Sequence, residues 1–188
     1  MDKSAVLQAV LPAVEECRAE ARSLFVTHPG ASATDLAEIA ARTARRRGTT
    51  LDALTRGPSP AAFVDFIGVL KMEARLAGVI AAIVAPEDLA HEDAFHADIL
   101  AIMFPSAVDA ALGSVGVRAG HETAKDVIRK YVRKDMLAHF AAKHLGTKVA
   151  QSMLITPSVP WNWLGVRMTG RRALAYHRNQ ALELLNAA

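Results

Sequence analysis

A chain of 188 residues can bury one sizeable core. Hydrophobic residues make up 52% and aromatics only 5%, alanine is abundant, and no period-two pattern stands out, which disfavours strand-based classes. The net charge of +3 is uneven: residues 1–117 carry ten Lys/Arg against fifteen Asp/Glu, and residues 118–178 carry twelve against three.

Residues 4–27 read as a helix, kinked or started by Pro12. Val10, Val14, Cys17, Ala21 and Leu24 form its apolar stripe. His28, Pro29 and Gly30 end it. A second helix follows, with Ser32 or Thr34 as cap and Gly48 as its C-terminal stop. Arg45, Arg46 and Arg47 then fall in its last turn, where cations suit the helix dipole better than they make a nucleic-acid patch. A loop over residues 49–59 leads to the centre.

Residues 60–117 are the apolar centre. Ser59 can cap a helix that starts at Pro60, because proline suits a first helical position. Over residues 76–85, LAGVIAAIVA, the polar face disappears. A helix apolar all round is buried in a core or in a membrane. The uncharged run stops at Pro86, well short of the roughly 20 residues that a membrane span needs, so a buried central helix is expected. Pro86, Glu87 and Asp88 open the next helix, which runs to about Phe104. Pro105 restarts it through Val117.

The sequence HETAKDVIRKYVRKDMLAHFAAKHLG, residues 121–146, reads as an amphipathic helix with Gly146 as its stop. Arg129, Lys130, Arg133 and Lys134 give it a basic face. Residues 149–166 carry no charge, and Pro157 and Pro160 make part of this segment extended. Trp161 and Trp163 follow, close to Arg167, Arg171, Arg172 and Arg178. Tryptophan beside arginine suits a membrane interface, and suits equally a loop folded over a core. The last helix is expected from about Asn162 to Ala187, with His177 on its apolar stripe.

Few constellations carry chemistry. His91, Glu92, Asp93, His96 and Asp98 form the densest group that could ligate a metal. His91 and His96 are five apart, however, and the i, i+4 histidine pair of a zinc helix is absent. No metal or other cofactor is therefore assigned, and His91, Glu92 and His96 stay as the metal candidates. Asp135 and His139 share a helix face, as a base and its orienting carboxylate would, and as ordinary intrahelical pairs do. Cys17 is a lone cysteine, so no internal disulfide forms and a reducing compartment is compatible. The N-terminal residues do not read as a secretion signal, and no phosphate-binding loop is present.

Three stretches bear a likeness to a known family. LAGVIAAIVAPEDL (76–89), DILAIMFPSAVDAALGSVGV (98–117) and TPSVPWNWLGVRMTGRRALAYH (156–177), in that order, resemble the EcsC-like bacterial proteins. Trp161 and Trp163 depart from the family, whose C-terminal segment carries more glycine. The resemblance implies an accessory role linked to a membrane and no established reaction.

The sequence thus predicts a single all-α domain of about six to eight helices around a buried apolar helical centre. Residues 1–58 and the basic residues 118–188 cover residues 59–117. The leading functional expectation is a non-enzymatic cytoplasmic protein that associates peripherally with an anionic membrane surface or a membrane protein. Trp161, Trp163, Arg129, Arg133, Arg171 and Arg172 would make the contact. One alternative is a soluble module binding a lipid or other hydrophobic ligand; another is a metal-dependent enzyme. Nucleic acid is not an expected partner, and a homo-oligomer is compatible. The charge asymmetry faces either an anionic partner or the other half of the same chain.

Overall fold

Helix α5, Glu92–Met103, sits at the centre of the molecule. Every residue from Phe95 to Met103 is buried, including two that carry polar groups, His96 and Asp98. The computed structural model describes residues 3–54, 60–116, 124–154 and 161–178. Its other helices are α1 (Lys3–Val10), α2 (Val14–Thr27), α3 (Ala33–Leu54), α4 (Pro60–Val84), α6 (Pro105–Ser114), α7 (Ala124–Tyr131), α8 (Lys134–Leu154) and α9 (Trp161–His177). A 3-10 turn, η1, spans Pro86–Ala90. No strand occurs among the described residues, and the fold is all-α, as expected.

Two layers meet at α4 and α5. On one side α3, α4 and α9 pack on one another, with α2 against α4. On the other, α8 packs on α1, α5 and α6. The short helix α7 rests on α5 and α9. The apolar centre expected at residues 59–117 is thus the core: residues 76–83 of α4 are all buried, and α5 packs against them.

No single helix among the described residues is long and apolar enough to cross a membrane. Helices α5 and α6 together have the composition for it, but they bend by 111° at Phe104, and most of their residues are buried inside the protein.

Breaks in the chain have local causes. Pro12 separates α1 from α2. The carbonyl it leaves without a helical partner accepts a hydrogen bond from His96 Nε2 at 3.1 Å. Ser32 is the cap of α3. Its hydroxyl accepts the Asp35 N–H, and the Asp35 carboxylate accepts the Ser32 N–H at 3.1 Å, a reciprocal capping box. The Ser32 hydroxyl also donates to that carboxylate at 2.6 Å, and this bond first, then the one from the Ser32 N–H, holds the Asp35 carboxyl below its usual range.

Several expected boundaries move. Gly48 does not stop α3, which continues to Leu54, so the arginine triplet lies inside the helix and not in its last turn. Gly146 likewise lies within α8, which runs on to Leu154. Glycine costs only about 1 kcal/mol inside a helix, and the continuing turn outweighs it at both places. The single helix expected over residues 121–146 is divided at Val132 and Arg133 into α7 and α8. The helix expected from Pro86 is η1 followed by α5, with the break at His91. The Ser59 cap, the extended segment at Pro157 and Pro160, and the end of the last helix beyond Arg178 lie outside the described residues.

One glycine is required by packing. A Cβ at Gly78 would stand 2.6 Å from Cys17 Sγ on α2 and 2.9 Å from Phe95 Cζ on α5. The missing side chain lets three helices close together. Burial also pushes the Cys17 thiol up to about 12 against the pull of Arg75, so it behaves as a small core residue. Gly78→Ala is expected to cost about 1–3 kcal/mol by overpacking. Adding Cys17→Ala should return part of that loss. Urea unfolding of the single and double variants checks both; an unchanged midpoint for Gly78→Ala would disprove the close approach.

A buried ion-pair node and the cleft above it

The basic C-terminal half of the chain meets the acidic N-terminal half inside the fold. Asp88 comes from η1 and Asp98 from α5. Both side chains are 1–2% exposed. A carboxylate that deep must be paired. Lys125 of α7 reaches Asp88 Oδ2 at 2.7 Å. Arg129, one turn further along α7, places its Nη2 2.7 Å from Asp88 Oδ1 and donates it to Asp98 Oδ2 at 3.0 Å. From α9, the Tyr176 hydroxyl donates to Asp98 Oδ1 at 2.5 Å, and His177 Nδ1 lies 3.1 Å from Asp88 Oδ2. With His177 neutral, two carboxylates face two cations and the node is balanced. A proton on Nδ1 then donates to Asp88, and Nε2 has no hydrogen-bond partner among the described residues.

The two carboxylates respond oppositely to this setting. Burial pushes Asp88 up, but hydrogen bonds from His177, Lys125 and Arg129 outweigh it and hold the carboxyl well below the usual range. Asp98 is also pushed up by burial, and there the Tyr176 bond and the Arg129 charge only partly offset it, so its pKa stays raised. Burial and the adjoining carboxylate raise the Tyr176 hydroxyl well above its ordinary value, which keeps it a donor.

A cleft of about 420 Å³ opens over this node. Asp88, Asp98 and Arg129 line it, with Ala94, Ala97, Ile128 and Val132 as apolar wall. Its other lining groups are Glu87, His91, Asp93, Arg133, Lys134 and Asp135. Lys134 and Asp93 are paired across it at 2.8 Å. The cleft is therefore walled by η1 and α5 on one side and by α7 and the start of α8 on the other.

The arginines expected at a membrane surface fall into different settings. Arg129 is committed to the node and Arg133 is exposed in the cleft. Arg171 is exposed on α9. Arg172 is half-buried: burial lowers its guanidinium, and the opposite charge of Glu73 on α4 works against that. Trp161 and Trp163 begin α9, and their side chains lie outside the described residues. Of the metal candidates, His91 lines the cleft, whereas His96 turns to the Pro12 carbonyl and is 3.9 Å from Glu92. Among the described residues no three His, Cys, Asp or Glu side chains come together as a metal site. Asp135 lines the cleft, and the His139 ring packs edge-on against Phe140.

Sequence reasoning did not single out Lys125, Tyr176 or Asp88 as partners in one site. The available signal was Asp98, a lone charge in the apolar run from Ala94 to Met103. A charge there must find a counter-charge on another element.

The fold and the site define a class: an all-α domain with a closed apolar core, a buried four-element charge node and a charged cleft. Comparison with protein-family models, with curated proteins and with solved structures finds no match.

Proposed function

We propose that the chain is a non-enzymatic binding domain whose cleft between η1–α5 and α7–α8 takes a small polar ligand. The observation that carries this reading is the cleft's floor. Arg129 is fixed there by two buried carboxylates, so its charge is already oriented before any ligand arrives. Pre-ordered groups lose little entropy on binding. The volume of about 420 Å³ lies within the range of small-molecule sites. The charged lining favours a polar ligand, or the polar head of a lipid, over the lipid or other hydrophobic ligand that is one alternative from the sequence.

The test is a thermal-shift and NMR titration with glycine, inorganic phosphate, ethanolamine and glycerophosphoethanolamine. At least one should stabilise the protein. Ala94→Trp, which places an indole in the cleft, should abolish the effect. Silence from every probe overturns the reading.

Peripheral membrane association is the second reading. Arg133 and Arg171 favour it, being exposed and without a side-chain ion pair among the described residues. The EcsC-like resemblance of residues 76–117 and 156–177 agrees with it. Co-sedimentation with anionic vesicles should then occur at low salt, weaken at high salt, and fall in Arg133→Gln/Arg171→Gln. Absence of binding at low salt removes it.

A further inference from the structure

We infer that the ligand of this cleft is a zwitterion carrying one carboxylate or phosphate and one primary ammonium; the inference rests on the cleft reading above. The internal pairings of the cleft leave groups of both charges over. Asp88 and Asp98 are neutralised by Lys125 and Arg129, and Asp93 by Lys134. Arg129 uses only Nη2 on its two carboxylates. Its Nη1 and Nε make no hydrogen bond among the described residues, and its side chain is 37% exposed on the cleft. Arg133 lines the same cleft with a guanidinium that makes no side-chain hydrogen bond or ion pair among the described residues. Two guanidinium groups with free donors are the recognition chemistry of a carboxylate or phosphate.

A purely anionic ligand is disfavoured by the rest of the lining. Glu87 on η1 and Asp135 at the start of α8 also face the cleft without a side-chain partner among the described residues. Asp135 sits in the first turn of α8, where the helix N-terminus stabilises it. Glu87 is exposed on η1, on the cleft wall opposite the α7–α8 junction that carries Arg133, so it is the carboxylate left to receive a ligand cation. A ligand that brings only one charge leaves the other set of cleft groups unanswered. A zwitterion answers both, and its short carbon stem can lie on Ala94, Ala97 and Val132. The shared chemistry fits a free amino acid or phosphoethanolamine compound and also the headgroup of phosphatidylethanolamine.

Isothermal titration of the whole chain with glycerophosphoethanolamine and glycine tests this against the separated halves, inorganic phosphate, acetate and ethanolamine. At least one zwitterion should bind about tenfold or more tightly than either of its halves. Arg133→Gln and Glu87→Gln, both at exposed positions, should each weaken it about tenfold or more with the thermal midpoint unchanged. If a half binds as well as the zwitterion, or if the two variants bind normally, the zwitterion assignment fails. The cleft reading survives that result as long as Ala94→Trp still blocks binding. If no probe binds, both fail. Vesicles of phosphatidylethanolamine in phosphatidylcholine, against phosphatidylcholine alone, then assign the source. Retention only on the former supports a lipid headgroup, and no retention with binding of the soluble probe supports a free zwitterion.

Discussion

Asp88→Asn should destabilise the protein by about 3–5 kcal/mol at neutral pH, the cost of removing one partner from a buried ion pair. Asparagine keeps the shape and removes the charge that three groups share. Lys125, Arg129 and His177 all converge on this carboxylate, which is 1% exposed. Without it, Lys125 has lost its carboxylate in a setting with little water, and α7 and α9 lose their common anchor on η1. For a chain of this length the thermal midpoint should fall by on the order of 10 °C. Asp98→Asn is the control. Burial already raises the pKa of Asp98, Arg129 keeps Asp88, and the amide oxygen can still accept from Tyr176, so the loss should be clearly smaller. Urea midpoints of the two variants decide the matter. Equal losses, or a larger one for Asp98→Asn, would show that the node is not centred on Asp88.

Acid should remove the same contribution from the unmodified protein. The folded-state pKa of Asp88 lies below its ordinary value near 3.8. A depressed carboxyl contributes stability that is fully present above the unfolded pKa, and that is lost as pH falls through it toward the folded pKa. Stability should therefore decline below about pH 4. Asp88→Asn has no such contribution to lose. Its unfolding free energy and that of the parent should differ most at neutral pH and converge toward pH 2. Asp98 acts in the opposite sense. Its pKa is raised, so ionising it costs the fold, and protonation relieves that cost. An Asp98→Asn chain should consequently lose stability more steeply on acidification than the parent. Urea unfolding from pH 7 to pH 2 measures all three curves; parallel curves for parent and Asp88→Asn would contradict the linkage.

These expectations bear on how the charge asymmetry is used. Lys125, Arg129, Lys134 and His177, all from the C-terminal half, meet Asp88, Asp98 and Asp93 from the N-terminal half. Part of the basic excess is thus consumed within the fold. Arg133 just before α8, Lys143 on α8 and Arg171 on α9 are exposed and make no side-chain ion pair among the described residues, and the ligand and vesicle experiments address the two arginines.

The sequence by itself determined the helices and the core. Proline at positions 12, 86 and 105 marks the breaks, because proline lacks the N–H that an interior helical turn requires. The apolar runs of α4 and α5 announce their burial, since a helix without a polar face has nowhere else to go. Boundaries set by glycine were less legible. Gly48 and Gly146 look like stops and are passed through, because a single glycine is a small local cost that the helix overrides.

Only the tertiary structure decided the site. The bonds of the node span 31 to 89 residues of sequence, and no local period links Asp98 with Arg129 and Tyr176, or Asp88 with His177. Each residue alone has an ordinary local reading: Asp88 at a helix start, Arg129 on a basic face, His177 on an apolar stripe. Burial changes those readings. Once α5 is enclosed, Asp98 must be answered by a charge, and the packing of α7 and α9 on α5 selects which cation and which hydroxyl are within reach.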